Sequence, residues 1–244
     1  MDVVIAGLGL IGGSLGMALR RSGWQVGFAD PAVSLEEALA AGAASEKRER
    51  LEARLIVLAT PAGAAIELLR GLEGATAVVT SVCSTMAPLR EAAAGVDFVA
   101  GHPFAGSEQR GLAAARAELF AGRPWFIDRE EEPVMRMIAA AGAQPVVVDA
   151  AEHDRIMALT SHLPQVVATA LASMLESVDA RFIGSGAESM LRLAGSSYEV
   201  WQPVLDQNEA NISAAAAELW RVMQRIGAEE FERAQRFHAR TRES

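Results

Sequence analysis

The chain has 244 residues, 51% of them hydrophobic, and a formal net charge of −9. That length can bury two modest cores, and the acidic balance argues against nucleic acid as the main partner. Cys83 is the single cysteine and Lys47 the single lysine, which excludes an intrachain disulfide and a thiolate metal site and nearly excludes a catalytic lysine. Apolar runs stop short of the ~18 residues of a membrane span. Residues 1–5 carry no basic n-region, so no signal peptide is expected. A cytoplasmic location with no membrane partner is the expectation.

Residues 3–6 read as a buried strand and 11–21 as a helix. Residues 25–29 read as a second strand, 55–59 and 75–80 as two more, and 98–100 as another. Residues 126–128 and 145–148 look like later strands, with 131–141 as the helix between them. Strands alternating with helices indicate βαβ units and a parallel sheet. Beyond residue 150 the texture changes. Apolar residues recur at three- and four-residue spacing over 151–177, 211–226 and 229–240, and Pro164 predicts a kink or break.

Gly7-Leu8-Gly9-Leu10-Ile11-Gly12 is a G-x-G-x-x-G motif between a strand and a helix, and Asp30 ends the next strand. Together these form the fingerprint of a dinucleotide site. Gly7 allows the tight turn, Gly9 lets a pyrophosphate approach the backbone, and Gly12 lets helix and strand pack closely. The phosphates would sit on the helix N-terminus. Asp30 would accept from the ribose hydroxyls and repel a 2′-phosphate, which favours NAD over NADP. Ala59-Thr60-Pro61 ends a later strand, so Thr60 and Pro61 would line the same cofactor. The expected class is α/β: a doubly wound Rossmann-type parallel sheet in residues 1–150, followed by an all-helical domain in 151–244. Helical domains of this kind bury apolar faces against a second copy, so a homodimer is expected.

Hydride transfer from an alcohol needs a base for the hydroxyl proton, and imidazole suits that task near neutral pH. Among His102, His153, His162 and His238, the last sits in a charged terminal helix and reads as a surface residue. His102 follows a strand in Gly101-His102-Pro103-Phe104-Ala105-Gly106-Ser107-Glu108, a shaped loop at the carboxyl edge of the sheet. It is the first candidate base. His162, beside Pro164, ranks second, and His153, followed by Asp154 in a helix, reads as structural.

The whole set of motifs resembles the prephenate dehydrogenase family, which includes arogenate and cyclohexadienyl dehydrogenases. The resemblance rests on the glycine fingerprint with Gly13-Ser14, Ala59-Thr60-Pro61, the segment 102–108, the stretch 120–125, His153-Asp154, Ser161-His162-Leu163-Pro164, Leu191-Arg192-Leu193-Ala194 and Trp201. It implies NAD-dependent oxidative decarboxylation of prephenate to 4-hydroxyphenylpyruvate, on the route to tyrosine. Arogenate is the alternative substrate, and a non-catalytic NAD-binding redox sensor is the rival of another class. The resemblance makes His102 the catalytic base and Ser84 the residue that orients it. It assigns His162, Arg192, Glu108, Ser107 and Trp201 to the substrate, Arg192 through a carboxylate that a guanidinium binds in two-pronged fashion. No metal is implied.

Three positions depart from the family pattern. Ser81 and Met86 stand where many members have an aspartate and a lysine, and Ser189 stands where an acid is common. A site for the ammonium of arogenate would want an extra acid near Arg192, and Glu188 is placed for it by helical spacing. No feedback through an appended regulatory domain is expected.

Overall fold

The structure, a computed structural model, describes residues 1–106 and 109–242. These form two compact units. One comprises Met1–Met157 with Gly195–Asn208, and the other comprises Ala158–Ala194 with the described part of Glu209–Ser244. The change of texture near residue 150 lies beside this division, but neither unit is one continuous stretch. Helical residues 195–208 return to the first unit.

The first unit opens with β1 (Val3–Ala6), α1 (Leu10–Arg21), β2 (Val26–Ala29), α2 (Leu35–Ala40), β3 (Glu46–Lys47), β4 (Leu55–Leu58), α3 (Ala62–Gly71), β5 (Val78–Ser81), α4 (Ala87–Ala92) and β6 (Phe98–Val99). The six strands form one parallel sheet in the order β3-β2-β1-β4-β5-β6. Every residue of β1 and β4 is buried. The sequences VVIA and LIVL show why, because central strands covered on both faces are apolar throughout. The α/β class with a parallel sheet is as expected. α2, β3, α3 and α4 have no counterpart among the ranges expected from sequence; β3 is a two-residue exposed edge strand, and α2 is a single short helix held by a capping box between Ser34 and Glu37.

The later strands do not extend the parallel sheet. β7 (Gly101–Pro103), β8 (Pro124–Ile127) and β9 (Gln144–Val147) make a second sheet, with β8 antiparallel to β7 and parallel to β9. The chain leaves the first sheet at Ala100, whose N–H donates to Asp128 Oδ1 at 3.0 Å, while Asp128 N–H returns to Ala100 O at 3.1 Å. That exchange turns β7 toward β8. α5 (Glu132–Ala140) packs between, α6 (Ala150–Met157) follows, and α9 (Tyr198–Gln207) completes the unit.

The second unit contains a π-helical turn at Ala158–His162, then α7 (Leu163–Leu175), α8 (Ser185–Leu191), α10 (Glu209–Met223) and α11 (Ala228–Arg240). The expected interruption at Pro164 takes the form of that π turn. Pro164 has no N–H to give to Thr160 O, so the helix widens before it and restarts with Pro164 in the first turn of α7. By length and composition the helical run Ala150–Leu175 is apolar enough to cross a membrane, which counting apolar runs did not register. It also carries His153, Asp154 and Gln165, all buried and hydrogen-bonded within the protein.

Candidate active site

The glycine loop and the loop after β4 meet at the point where the strand order reverses, which is where sheets of this type bind ligands. Gly7 has φ +91°, a left-handed conformation that favours glycine. A Cβ on Gly7 would lie 2.7 Å from Ala59 O, and one on Gly12 would lie 2.0 Å from Gly7 O. A Cβ on Gly9 would meet nothing within 4 Å, so the backbone there faces open space. Gly9 caps α1 without a side-chain bond, and the first turn holds no acidic residue. The orphan N–H groups of that turn are therefore left for an anionic ligand.

Leu8 buries its side chain completely, and its N–H donates to Asp30 Oδ2 at 2.8 Å. Asp30 Oδ1 accepts the Ala32 N–H at 2.8 Å. Two backbone donors thus hold this carboxylate beside the glycine loop, each oxygen keeping a further lone pair. Leu10 and Ile11 are half-buried at the start of α1. Thr60 Oγ1 is buried with no hydrogen-bond partner among the described residues, an orphan that a ligand at this edge could satisfy. Pro61 caps α3. Cys83 donates to Thr60 O at 3.8 Å, and burial pushes its thiol up to about 12. It is a tie between loops and no nucleophile. The residues present fit a bound dinucleotide: an uncapped helix terminus, an open backbone approach at Gly9 and a fixed carboxylate at Asp30.

His102 lies on β7, three residues beyond the end of β6. Its Nδ1 is 3.0 Å from His153 Nε2. His153 Nδ1 is in turn 2.8 Å from Asp154 Oδ1. The same carboxylate accepts Met86 N–H at 2.8 Å and Ala87 N–H at 2.9 Å, at the start of α4. His153 and Asp154 are 1% and 2% exposed, and Asn208 Nδ2 donates to Asp154 O at 2.7 Å. Phe126 packs against both imidazoles, with ring centres 6.2 Å from His102 and 5.4 Å from His153. Phe104 meets His102 edge-on at 6.1 Å. Read as merely structural, His153 and Asp154 were missed as parts of the site. A signal was present: Ala150, His153, Asp154, Met157 and Ala158 form the buried stripe of one helix, and polar residues within such a stripe require partners.

Ser84 is exposed in the loop after β5, and the partner the structure gives His102 Nδ1 is His153. Ser81 is fully buried. Its hydroxyl donates to Gly101 O at 3.2 Å and accepts Gly101 N–H at 3.3 Å. An aspartate at that position would lack the donor, so this departure fastens the strand that carries His102. Met86 is fully buried in the core, where a lysine ammonium would need a partner. Trp201 is half-buried on α9 in the first unit. Ser107 and Glu108 lie outside the described residues.

His162 and Arg192 belong to the second unit. His162 ends the π turn, 1% exposed. Arg192 is exposed and begins a short 3-10 turn at Arg192–Gly195. Buried Gln165 fastens that turn to α7, its Nε2 donating to Leu193 O at 2.9 Å. Glu188 lies one helical turn before Arg192 on α8.

Residues 15–140 match the family described as "Prephenate dehydrogenase, nucleotide-binding domain", and residues 149–238 match "Prephenate dehydrogenase, dimerization domain". The chain belongs to the prephenate dehydrogenase family. A relative from Streptomyces niveus named "Probable prephenate dehydrogenase NovF" is 32% identical over 228 residues, covering 86% of this chain and 63% of the relative. The chain spans less than two thirds of the length of the curated relatives it matches first. Among solved structures, the arogenate dehydrogenase of Synechocystis is 25% identical with a TM-score of 0.80, covering 99% of this chain and 98% of that one. The prephenate dehydrogenase of A. aeolicus, solved with hydroxyphenyl propionate and NAD+, shares the fold with a TM-score of 0.84 at 23% identity, covering 96% of this chain and 92% of that one.

Proposed function

We propose that this chain catalyses NAD-dependent oxidative decarboxylation of prephenate to 4-hydroxyphenylpyruvate. The observation that carries the reading is His102, an imidazole held by hydrogen bonding at the carboxyl edge of a sheet whose glycine loop fits a dinucleotide, in a chain of this family. A bound nicotinamide dinucleotide supplies the hydride acceptor. His102 takes the proton of the ring hydroxyl as hydride leaves the same carbon. The ring carboxylate then departs as CO₂, its bonding electrons completing the aromatic ring. In the helical unit, the exposed Arg192 guanidinium is a charged two-pronged donor of the kind that suits a carboxylate. Asp30 sets the preference for NAD by accepting from the ribose and repelling a 2′-phosphate.

Arogenate is the second reading. It is supported by the position of Glu188, one turn from Arg192 on α8, where a carboxylate could meet an ammonium. Measuring kcat/KM for prephenate and arogenate, each with NAD and NADP, separates the readings. Preferred turnover of prephenate with NAD is the expected result. Turnover of neither substrate would leave a non-catalytic NAD-binding protein.

We also propose a homodimer formed through the helical unit. Its described residues expose large apolar side chains at Met174, Phe182, Trp220, Ile226, Phe231 and Phe237, apolar surface that a second copy would remove from water. Sedimentation equilibrium should return twice the chain mass of 25.8 kDa; a monomer at micromolar concentration would refute it.

A further inference from the structure

The hydrogen bonds behind His102 form a directional chain. Two backbone N–H groups, of Met86 and Ala87, donate to the Asp154 carboxylate, and His153 Nδ1 lies 2.8 Å from its Oδ1. Its oxygens are the acceptors, so the proton between Asp154 and His153 belongs to His153 Nδ1. A neutral imidazole with its proton on Nδ1 carries its lone pair on Nε2. That lone pair faces His102 Nδ1 at 3.0 Å, which must therefore be the donor. The proton of neutral His102 is thereby fixed on Nδ1 and its lone pair on Nε2.

We infer that His153 and Asp154 are positioning residues that hold His102 in the one tautomer whose Nε2 can act as base. The inference rests on the reading of His102 as the proton acceptor of the dehydrogenase reaction. When Nε2 takes the hydroxyl proton, His102 becomes an imidazolium. The new proton stays on Nε2, the old one stays on Nδ1, and the His153 lone pair faces the charge. No proton travels on to Asp154; the carboxylate acts by keeping His153 polarised and in register. Burial of both residues makes this arrangement firm, because an unpaired polar group there would be costly. Packing of Phe126 against the two imidazoles restricts their rotation. An isolated histidine would distribute its proton between both nitrogens and rotate. The pair removes both freedoms before substrate arrives.

The test is 15N NMR of histidine-labelled protein together with steady-state kinetics of variants at His153, Asp154 and His102. In the wild type, His102 should show a protonated Nδ1 and an unprotonated Nε2 at a pH where the ring is neutral. His153→Leu removes the acceptor and should lower kcat by about 10²- to 10⁴-fold, the range that general-base catalysis contributes, with KM and NAD affinity little changed. His153→Gln can still accept through its amide oxygen and should restore kcat to within ~10-fold of wild type. In Asp154→Asn the amide oxygen can take the Oδ1 place and go on accepting from Met86 and His153, losing only the Ala87 bond, so this variant should keep both tautomers and hold kcat within ~10-fold of wild type.

A wild-type His102 protonated on Nε2 overturns the inference, as does a His153→Leu variant with wild-type kcat. Should His153→Leu or Asp154→Asn fail to fold, the wild-type tautomer and the Gln variant still decide it. The NMR signature is independent of turnover. Absence of activity on prephenate and arogenate would sink the proposed reaction and leave the NMR test standing, whereas unchanged kcat in His153→Leu, with His102→Asn inactive, would sink only the positioning role of His153 and Asp154.

Discussion

Gly9 and Gly12 lie three residues apart, and the structure gives them opposite sensitivities to one added methyl group. A Cβ on Gly12 would sit 2.0 Å from Gly7 O, well inside the ordinary contact distance of about 3.5 Å. Gly7 cannot yield easily, because it is itself wedged against the loop after β4. Relief requires α1 to shift against β1, which costs roughly 1–3 kcal/mol as an overpacked contact and lowers Tm by about 2–12 °C for a chain of this size. A Cβ on Gly9 meets no protein atom within 4 Å, and its backbone, at φ −77° and ψ −152°, is extended. Gly9→Ala should therefore leave Tm within ~2 °C of wild type. The methyl would instead occupy the approach of the pyrophosphate and weaken NAD binding at least about tenfold, or ~1.4 kcal/mol. Differential scanning calorimetry and isothermal titration with NAD, run on both variants, check the pair. A Gly9→Ala protein that binds NAD normally, or that loses as much Tm as Gly12→Ala, would refute the assignment of open space at Gly9 to the cofactor.

Other outcomes follow from the same region. Asp30→Ala leaves the Leu8 and Ala32 N–H groups without their acceptor, at a cost of about 1–3 kcal/mol for the buried one. It should lower the ratio of kcat/KM for NAD over NADP by at least ~10-fold; an unchanged ratio means another group chooses the cofactor. The Cys83 thiol, pushed up to about 12 by burial, should resist a disulfide reagent at pH 8 until the chain is unfolded by denaturant, and prompt reaction of the native protein would contradict its burial. The unfolded chain releases that proton from about pH 9 upward while the native state retains it, so this contribution to stability is complete below pH 9 and is lost as pH rises toward 12. Denaturant unfolding of wild type and Cys83→Ala across that range should show the steeper decline in the wild type.

The residues that announced the first unit are those whose physics is local. A glycine at a left-handed turn, an uncapped helix start and an acid at the end of the following strand follow one another within 24 residues, from Gly7 to Asp30, and each has its own steric or electrostatic requirement. Fully apolar strands such as 3–6 and 55–58 need no distant partner to be recognised. The second sheet was illegible because its strands look like any others. Contacts across long sequence separation, Asp128 with Ala100 over 28 residues and the pairing of β7 with β8, turn the chain off the first sheet. The helical return of 195–208 was hidden for a similar reason, since periodicity says that a helix forms but not which core it joins.

His102 stood out in the sequence through the turn-forming residues around it, and the sequence by itself determined the dinucleotide fingerprint, the α/β texture and the order of the motifs. The hydrogen-bond partner of His102 was a different matter. Ser84 is 18 positions away and His153 is 51 positions away, and both carry groups able to hold an imidazole. Only the tertiary structure decided for His153, by setting α6 against α4 so that Met86 and Ala87 fix Asp154, Asp154 fixes His153, and His153 reaches His102. Hydrogen bonds act over about 3 Å, and distance in space is what the linear order of residues leaves open.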